Sequence, residues 1–381
     1  MWGRDTRRGF LKTSLSSATI LLSQQQREER TPKEIWTTLT TENWGYTRTG
    51  LEDYHEKTGD FGSNRDILII DTGFDADSPI LNLVGENQNP RENHLNIHSW
   101  GDFTRNFIFE PGQLDDKSGQ GTGIASVVWQ AAPNARYHVA KVASKAQMIA
   151  ALEHAEKNPN KYDIVLTGQG TAHAFSSTQG TEMRNLANDI SGENTLFIAG
   201  SGNDSIWPEP PSTAENAICV ASLAFDGGVF PGGTPERRRR GKPDVVAPGE
   251  GIIKLNTDKQ NLIGVGSKSG YAAPHVAGMA LLLVQYASAS EVRKAIKETA
   301  IDIPGTEIDG HGRVSMMDAY AKLTFRSIAE ALDENYNDRI DDSEIDRAIK
   351  LWQSGEPVPN TGGKIITDEV LFKLTDLWRN E

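Results

Sequence analysis

The feature that most constrains the fold of this chain is an alternation of short apolar runs with longer helical patterns. Runs rich in Ile, Val and Leu indicate buried β-strands, and alternation with helices is typical of an α/β fold whose parallel sheet is covered on both faces. The predicted strands are Ile67–Ile70, Tyr137–Val142, Ile164–Thr167, Thr195–Ala199, Ala217–Ala221 and Val245–Ala247. The predicted helices are Thr122–Trp129, Lys145–Lys157, Thr181–Ile190, Ala272–Tyr286 and Ser290–Thr299.

Polar motifs follow several of the predicted strands. Asp71-Thr72-Gly73 comes directly after the first strand, and a later strand runs into Gly200-Ser201-Gly202-Asn203. In open parallel sheets, ligands bind outside the carboxyl ends of the strands, where the loops between strand and helix meet. The sequence therefore predicts a functional site at that edge of the sheet.

The stretch Gly266–Gly278 reads G-S-K-S-G-Y-A-A-P-H-V-A-G, a polar turn that leads into a helix of small residues. It resembles the nucleophile segment of the subtilisin-like serine proteases, the subtilases. Further motifs of that family are resembled, in the same order, by Asp71–Gly73, Gly119–Ala125, Lys242–Gly249 and Gly310–Val314. The resemblance implies a doubly wound, mostly parallel sheet of the subtilisin-like type over residues 61–324.

The resemblance assigns family roles to particular residues. Asp71 stands where the family has the aspartate that orients the catalytic histidine, and Asn203 stands where an asparagine donates to the oxyanion. Gln120 occupies the position of the histidine, and Gly270 occupies that of the serine. Because a carboxamide has no basic site near neutral pH and glycine has no hydroxyl, the resemblance implies a site without a general base or a nucleophile.

Other parts of the expected site bear on binding. Ile164–Gly170 resembles the family segment whose backbone pairs with an extended substrate as an added strand, so peptides are expected partners. His275 is structural in the family and is not expected to replace the base. Ser269 precedes Gly270, and one helical residue turns a side chain by about 100° and shifts it by about 1.5 Å, which is unfavourable for attack.

A small all-α unit is predicted at the C-terminus, over residues 325–381. The segment Asp333–Glu344 matches the EF-hand calcium loop, except that Asp338 holds the position usually taken by glycine. A second, degenerate unit follows over residues 360–378, and such pairs resemble dockerin-like modules, which bind a partner domain in other proteins. The expected Ca²⁺ ligands are Asp333, Asn335, Asn337, the Arg339 carbonyl, Asp341 and Glu344.

Residues 1–23 carry a targeting pattern. Thr6–Lys12 reads T-R-R-G-F-L-K and closely resembles the twin-arginine export signal, with a short apolar stretch behind it, so export in the folded state is expected. A basic N-terminus without signal function is the alternative. About ten apolar residues are too few for a permanent transmembrane span, and cleavage of the signal is left open. Residues 24–60 are expected to form a peripheral extension that braces the main domain.

Charge and cysteine content narrow the expected partners further. The formal net charge of -13 argues against a nucleic-acid surface, and the basic run Arg237–Arg240 is expected to be a solvated loop. With Cys219 as the single cysteine, no intrachain disulfide can form, and its apolar neighbours predict a buried, inert thiol.

These patterns together predict an exported subtilase-fold pseudoprotease that keeps a peptide groove and carries a calcium-binding module. Two alternatives remain open. The first is an active serine endopeptidase with an atypical catalytic site. The second is a scaffold whose C-terminal unit binds a partner in a calcium-dependent manner.

Overall fold

The computed structural model describes residues 30–84, 90–91, 94–168, 177–203, 206–258, 262–306, 308–333, 339–359, 361 and 364–379. The predicted twin-arginine segment lies outside these residues. Within the described ranges, no helix combines the length and the apolar character that a membrane crossing requires.

An eight-stranded sheet forms the centre of the main domain. Its strands are β1 (Asp66–Asp71), β2 (Leu81–Leu83), β3 (Leu95–Asp102), β4 (Arg136–Lys141), β5 (Ile164–Thr167), β6 (Leu196–Gly200), β7 (Ile218–Leu223) and β8 (Val245–Pro248). The order across the sheet is β2-β3-β4-β1-β5-β6-β7-β8, and neighbouring strands run parallel. This confirms the predicted α/β fold with a mostly parallel sheet. β2 and β3 were not predicted.

Helices cover both faces of the sheet. In chain order, those before the C-terminal unit are α1 (Pro32–Glu42), α2 (Trp44–Arg48), α3 (Leu51–Thr58), α4 (Phe103–Asn106), α5 (Gln120–Ala131), α6 (Lys145–Glu156), α7 (Thr178–Ile190), α8 (Ser269–Leu283) and α9 (Ala289–Glu298). One core includes residues of α5, α8 and α9 with Ile67 and Ile69 of β1. The other includes residues of α6 and α7 with Leu68 and Ile70. Alternate residues of β1 therefore point to opposite cores, as the period of a strand requires.

The segment before the sheet differs from its expected peripheral role. A capping box between Thr31 and Glu34 starts α1. Ile35, Leu39 and Tyr54 are each 0 % exposed and belong to the main core. The segment is therefore helical and integral to the domain. The apolar pattern of α1 covers only one helical turn, the spacing between its two buried apolar residues, so the sequence alone did not indicate a helix there.

Close packing explains why the helix that begins at Ser269 is rich in small residues. A Cβ on Gly278 would collide with the Cβ of Ala131, so glycine lets α8 approach α5. A hairpin that was not predicted leads into α8. Its strands, β9 (Ile252–Leu255) and β10 (Ile263–Gly266), pair antiparallel.

The C-terminal helices are α10 (Met316–Leu332), α11 (Asp342–Ser354) and α12 (Asp368–Arg379). They enclose a separate apolar core that contains Ile328, Leu332, Ile345 and Leu374. Leu323, earlier on α10, belongs instead to the core of the main domain. The boundary predicted between residues 324 and 325 thus falls inside one continuous helix that both cores share.

Candidate active site

Asp71 ends β1 at the carboxyl edge of the sheet, where it is 1 % exposed. Its Oδ1 accepts a hydrogen bond from the backbone N–H of Thr72 at 2.8 Å. Its Oδ2 accepts one from Nε2 of Gln120 at 3.4 Å, a distance at which a hydrogen bond is weak. The structure therefore brings Gln120 to Asp71 as a polar pair, but the amide cannot take up a proton near neutral pH.

Asp116, which the sequence analysis did not single out, organises the start of α5. Its carboxylate accepts hydrogen bonds from the backbone N–H of Gly119 at 2.9 Å, from that of Thr122 at 2.8 Å, and from the Thr72 hydroxyl at 2.8 Å. A carboxylate in this place satisfies free amides of the helix start and interacts favourably with the helix dipole. Asp116 thereby fixes Gln120, the first residue of α5. An acidic residue shortly before a helix start was the available signal.

Asn203 follows β6 and contacts the start of α8. Its Oδ1 accepts hydrogen bonds from the backbone N–H of Ser269 at 2.9 Å and from the Ser269 hydroxyl at 3.0 Å. Oγ of Ser269 in turn accepts the backbone N–H of Gly202 at 3.2 Å. Ser269 is 0 % exposed, so its hydroxyl links the end of β6 to the start of α8.

Gly270 is the second residue of α8 and is buried. A Cβ built on Gly270 would lie 2.9 Å from the carbonyl oxygen of Gly168, which follows β5. Close-packed interiors do not accommodate a carbon so near a backbone oxygen without movement of the chain. The position therefore lacks both the hydroxyl of a serine and the room for its Cβ.

The sheet topology limits which residues of the expected peptide-binding segment could pair with a peptide. β5 pairs with β1 on one side and with β6 on the other, so it has no free edge for a peptide. An added strand would have to pair with the residues after β5. Of these, Gly168 is described, whereas residues 169 and 170 lie outside the described ranges.

Tyr271 and Lys254 lie next to this site and were not predicted to be part of it. Nζ of Lys254 lies 5.7 Å from the ring centroid of Tyr271 and donates to Oδ1 of Asn256 at 2.7 Å. Burial lowers the pKa of Lys254. Burial, together with the negative charges of Asp71 and Asp116, raises the pKa of Tyr271 to about 12. The phenol therefore keeps its proton at neutral pH and supplies no base.

His275 lies within α8 and is 2 % exposed. Burial lowers its pKa to about 4, so the imidazole is neutral at physiological pH. Its Nδ1 lies 3.0 Å from the carbonyl oxygen of Tyr271, and its Nε2 lies 3.5 Å from Nδ2 of Asn43. These contacts anchor the ring between α8 and the loop before α2, as expected for a structural histidine.

The amino end of β1 carries a second group of polar residues. Nε2 of His138 lies 2.9 Å from Oδ1 of Asp66, and its Nδ1 lies 2.7 Å from Oγ of Ser99. Arg136 donates to both oxygens of Asp66, through Nε at 2.9 Å and through Nη2 at 2.5 Å. Burial would raise the pKa of Asp66, but the hydrogen bonds from Arg136 and His138 outweigh it and hold the pKa well below its usual range.

This acid, imidazole and hydroxyl resemble a catalytic triad in type but not in setting. His138 is 6 % exposed and packs edge-on against Tyr162, with ring centroids 5.1 Å apart. The Asp66 charge is already paired with Arg136, which reduces its ability to stabilise an imidazolium. The group also lies at the edge of the sheet opposite to the one where ligands of such folds bind. We interpret it as a structural network.

The predicted calcium loop lies between the end of α10 and the start of α11. Asp333 is the C-cap of α10, and Asp341 is the N-cap of α11. Glu344 accepts the backbone N–H of Asp341 at 3.0 Å, while Asp341 accepts that of Glu344 at 3.1 Å. Asn335 and Asn337 lie outside the described residues. In the part of the chain that the structure describes, no group of three or more His, Cys, Asp and Glu side chains is arranged to hold a metal ion.

The last part of the predicted loop is anchored to the C-terminal core. Arg339, whose carbonyl is an expected ligand, is exposed, whereas the adjoining Ile340 is 2 % exposed and packs in that core. An apolar anchor next to polar positions holds the end of the loop close to the start of α11.

Comparison with known proteins gives a consistent result. The family model Peptidase_S8, described as the subtilase family, matches residues 62–340. The chain is 28 % identical over 257 residues to thermitase of Thermoactinomyces vulgaris, covering 64 % of this chain and 84 % of that protein. It is 27 % identical over 292 residues to the thermophilic serine proteinase of Bacillus sp. (strain AK1), covering 71 % and 66 %. The crystal structure of a lanthipeptide protease matches with a TM-score of 0.61 at 16 % identity, covering 74 % and 95 %, which concerns the fold alone.

Proposed function

Because the chain belongs to the subtilase family, we propose that it is an exported pseudoprotease of that family, which binds peptides without cleaving them. The observation that carries the proposal is the presence of a closely packed glycine, Gly270, at the predicted position of the serine. The residue offers no hydroxyl, and a Cβ there would lie 2.9 Å from the carbonyl oxygen of Gly168. The amide of Gln120 beside Asp71 supports it, since the position of the base holds a group without a basic site.

The expected loss of rate is large. In subtilisin, removal of the serine or of the histidine alone lowers kcat by about 2 × 10⁶. That factor corresponds to about 8–9 kcal/mol of activation free energy. With both groups replaced, only the weak contribution of binding and oxyanion donors would remain.

Ser269 does not compensate for Gly270. Its hydroxyl donates to Asn203 at 3.0 Å and accepts from the backbone N–H of Gly202 at 3.2 Å. A hydroxyl held in this way is turned toward β6 and would have to break both contacts to attack a substrate. This geometry argues against the active endopeptidase with an atypical nucleophile.

Fluorophosphonate labelling of the purified protein tests the proposal. We expect no labelled serine and no hydrolysis of casein above a buffer control. The matched control is Ser269→Ala, which should behave like the natural sequence in both assays. Labelling at Ser269 together with hydrolysis that Ser269→Ala abolishes would instead establish the active endopeptidase.

We also propose that the loop between α10 and α11 binds Ca²⁺. Support comes from the caps: the predicted first and ninth loop positions, Asp333 and Asp341, coincide with the end of one helix and the start of the next. N-cap and N3 side chains point toward the helix start, which brings the carboxylates of Asp341 and Glu344 to the loop. Bound Ca²⁺ would supply charge neutralisation to these carboxylates and hold the two helices together. Binding of a partner by this unit stays a prediction.

Thermal melting of the full chain with Ca²⁺ or with a chelator tests this site. At about 100 times Kd, a ligand of the folded state adds roughly 2.7 kcal/mol of stability. Glu344→Gln separates the two roles of the residue, because glutamine can still complete the capping box but does not supply the bidentate charge. We expect the variant to melt like the natural chain in chelator and to show no calcium shift. An equal calcium shift in the variant would contradict the assignment.

Export rests on the sequence of residues 6–12. In a bacterial host that has a twin-arginine pathway, cell fractionation should find the natural chain outside the cytoplasm. Replacement of both Arg7 and Arg8 by lysine keeps the charge and should retain the protein inside. Equal export of the two chains would contradict the twin-arginine route.

A further inference from the structure

The basic run Arg237–Arg240 forms an ordered, exposed turn ahead of β8. Arg239 and Lys242 exchange backbone hydrogen bonds at 3.1 Å and 3.0 Å, which closes the turn. Nη2 of Arg238 donates to the carbonyl oxygen of Gly241 at 2.9 Å. All residues of the run are exposed, so the turn presents several guanidinium groups to solvent from a fixed backbone.

Trp207 contacts two arginines of this turn. The guanidinium carbons of Arg237 and Arg239 lie 5.8 Å and 5.5 Å from its ring centroid, within the range of cation–π contacts. The backbone N–H of Arg237 donates to the carbonyl oxygen of Ile206 at 3.0 Å. Ile206 and Trp207 follow Asn203 closely in the chain, so the arginines contact a segment that is near the end of β6 in sequence.

Positive charge accumulates around the turn although the whole chain has a formal net charge of -13. Arg184 on α7 is 8 % exposed, and its pKa is lowered by burial and then by the charges of Arg240 and Arg239. Like charges held close together repel one another, and an anionic partner relieves that repulsion.

We propose that Arg237, Arg239, Trp207 and Ile206, here called the arginine–tryptophan patch, form a docking surface for an acidic peptide segment. This proposal deepens the peptide binding proposed above and rests on it. Guanidinium groups bind carboxylates in a bidentate manner, and contact with the Trp207 ring limits the positions that the two side chains can take. Ile206 is 51 % exposed and adds apolar area beside the charges.

A peptide fits the patch better than a nucleic acid does. A nucleic acid would extend along the surface of a chain that is acidic elsewhere, where its phosphates would be repelled. A short acidic segment needs complementarity only at the patch. The patch also contains Ile206 and Trp207, which follow Asn203 closely in the chain and so lie on the segment that continues from β6.

Fluorescence anisotropy with the full chain tests the proposal. The probes are dansyl-labelled Gly/Ser peptides of one length that carry several Glu, several Gln or several Lys residues, with a single-stranded oligonucleotide of the same charge as the Glu peptide. We expect the Glu peptide to bind tightest and its affinity to fall as salt is raised. In Arg237→Gln/Arg239→Gln its affinity should fall about tenfold. Arg237→Lys/Arg239→Lys, which keeps the charge but not the planar guanidinium group, should give an intermediate loss.

The matched control is Lys33→Gln/Lys157→Gln, which removes the same charge from exposed positions on α1 and at the end of α6. It should bind the Glu peptide within about twofold of the natural chain. Equal losses in the two double variants, equal affinity for the Glu and Gln peptides, absence of binding by any peptide, or tighter binding of the oligonucleotide would each overturn the patch as an acidic-peptide site.

Mass spectrometry of the same mixtures distinguishes this proposal from the proposed function. Cleaved peptide with a retained preference for Glu would overturn the pseudoprotease and support the patch. Intact peptide with equal binding of the Glu and Gln forms would overturn the patch and leave the pseudoprotease standing.

Discussion

The two ends of β1 offer an instructive comparison. Its amino end holds Asp66, His138 and Ser99 in a continuous hydrogen-bonded chain. Its carboxyl end holds Asp71, which faces the amide of Gln120, and Gly270 stands at the predicted nucleophile position. The strand rise separates the two ends by about 16 Å. The residue types of a triad lie at the edge of the sheet opposite to the one where ligands of such folds bind. At the other edge, glutamine and glycine occupy the predicted positions of the base and the nucleophile.

This difference shows that the residue types alone do not identify a catalytic site, because their charge partners, packing and position in the sheet also decide what they do. At the amino end the aspartate neutralises Arg136 and the imidazole is packed against Tyr162, so the polar groups stabilise the fold. At the carboxyl end, Asp116 and Asn203 hold the starts of α5 and α8, where Gln120 and Gly270 occupy the predicted positions of the base and the nucleophile. Stability should therefore depend on the first aspartate and tolerate loss of the second.

The largest effect that we expect is on stability. Asp66→Asn leaves Arg136 without its carboxylate partner and should lower the free energy of unfolding by about 2–3 kcal/mol. Asp71→Asn, the matched change at the other end, replaces a buried charge by an amide of the same shape and should change it by less than about 1 kcal/mol. Urea unfolding at neutral pH measures both. Equal losses would erase the distinction between the two ends.

Acid should reduce the contribution of Asp66, at the amino end of β1, to the free energy of unfolding. Because the pKa of Asp66 is lower in the folded protein than in the unfolded chain, its stabilisation is complete above about pH 4 and is lost as the pH falls through the folded value. The natural chain should therefore lose its advantage over Asp66→Asn below about pH 4, by at most about 1.4 kcal/mol per pH unit. Asp163 is present in both chains; its pKa is raised by burial and also by the charge of Asp66, and the second contribution is absent from Asp66→Asn. Parallel stability curves from pH 7 to pH 3 would contradict this linkage.

Introduction of histidine and serine at the carboxyl end of β1 should not restore peptide hydrolysis. In a Gln120→His background, Gly270→Ser should cost about 1–3 kcal/mol through overpacking against Gly168 and should not raise hydrolysis of a chromogenic peptide. Misplacement by about 1 Å can cost 10² in rate, and both groups would have to be positioned anew. Gly270→Ala in the same background is the control and should match it in stability and rate. Faster hydrolysis by the serine variant alone would mean that the chain at Gly168 yields easily.

A small effect should come from the hydroxyl of Ser99 at the amino end of β1. Ser99→Ala removes one hydrogen bond to His138 and should lower the free energy of unfolding by about 1 kcal/mol. Fluorophosphonate labelling should be absent before and after the change. Labelling of the natural chain that disappears in Ser99→Ala would turn the structural network into a reactive one.

The strands that the sequence predicted share one property, burial on both faces. β1, β5 and β6 are continuous apolar runs, which a pattern of residues can reveal. β3 was missed because Asn96, His98 and Ser99 interrupt its apolar pattern at positions where tertiary hydrogen bonds and neighbouring rings accommodate them. β9 and β10 were missed for a similar reason, since Lys254 and glycines interrupt them.

In the candidate site as well, some features could be predicted from the sequence and others could not. Family motifs located Asp71, Gln120, Asn203 and Gly270, and the structure places Gln120 beside Asp71 and Asn203 beside the start of α8. The functional roles of these residues remain predictions. The approach of Gly168 to Gly270 could not be predicted, because it depends on how the end of β5 meets α8. Contacts between segments far apart in the chain leave no local pattern.

The helix α10 has a mechanical consequence. Its 17 residues span about 26 Å, with Leu323 in one core and Ile328 and Leu332 in the other. A force applied to the C-terminal unit therefore reaches the main domain through a stiff rod rather than through slack chain. In a single-molecule pulling experiment on the C-terminus, extension should begin with rupture of packed helices, without an initial compliant phase between the two cores.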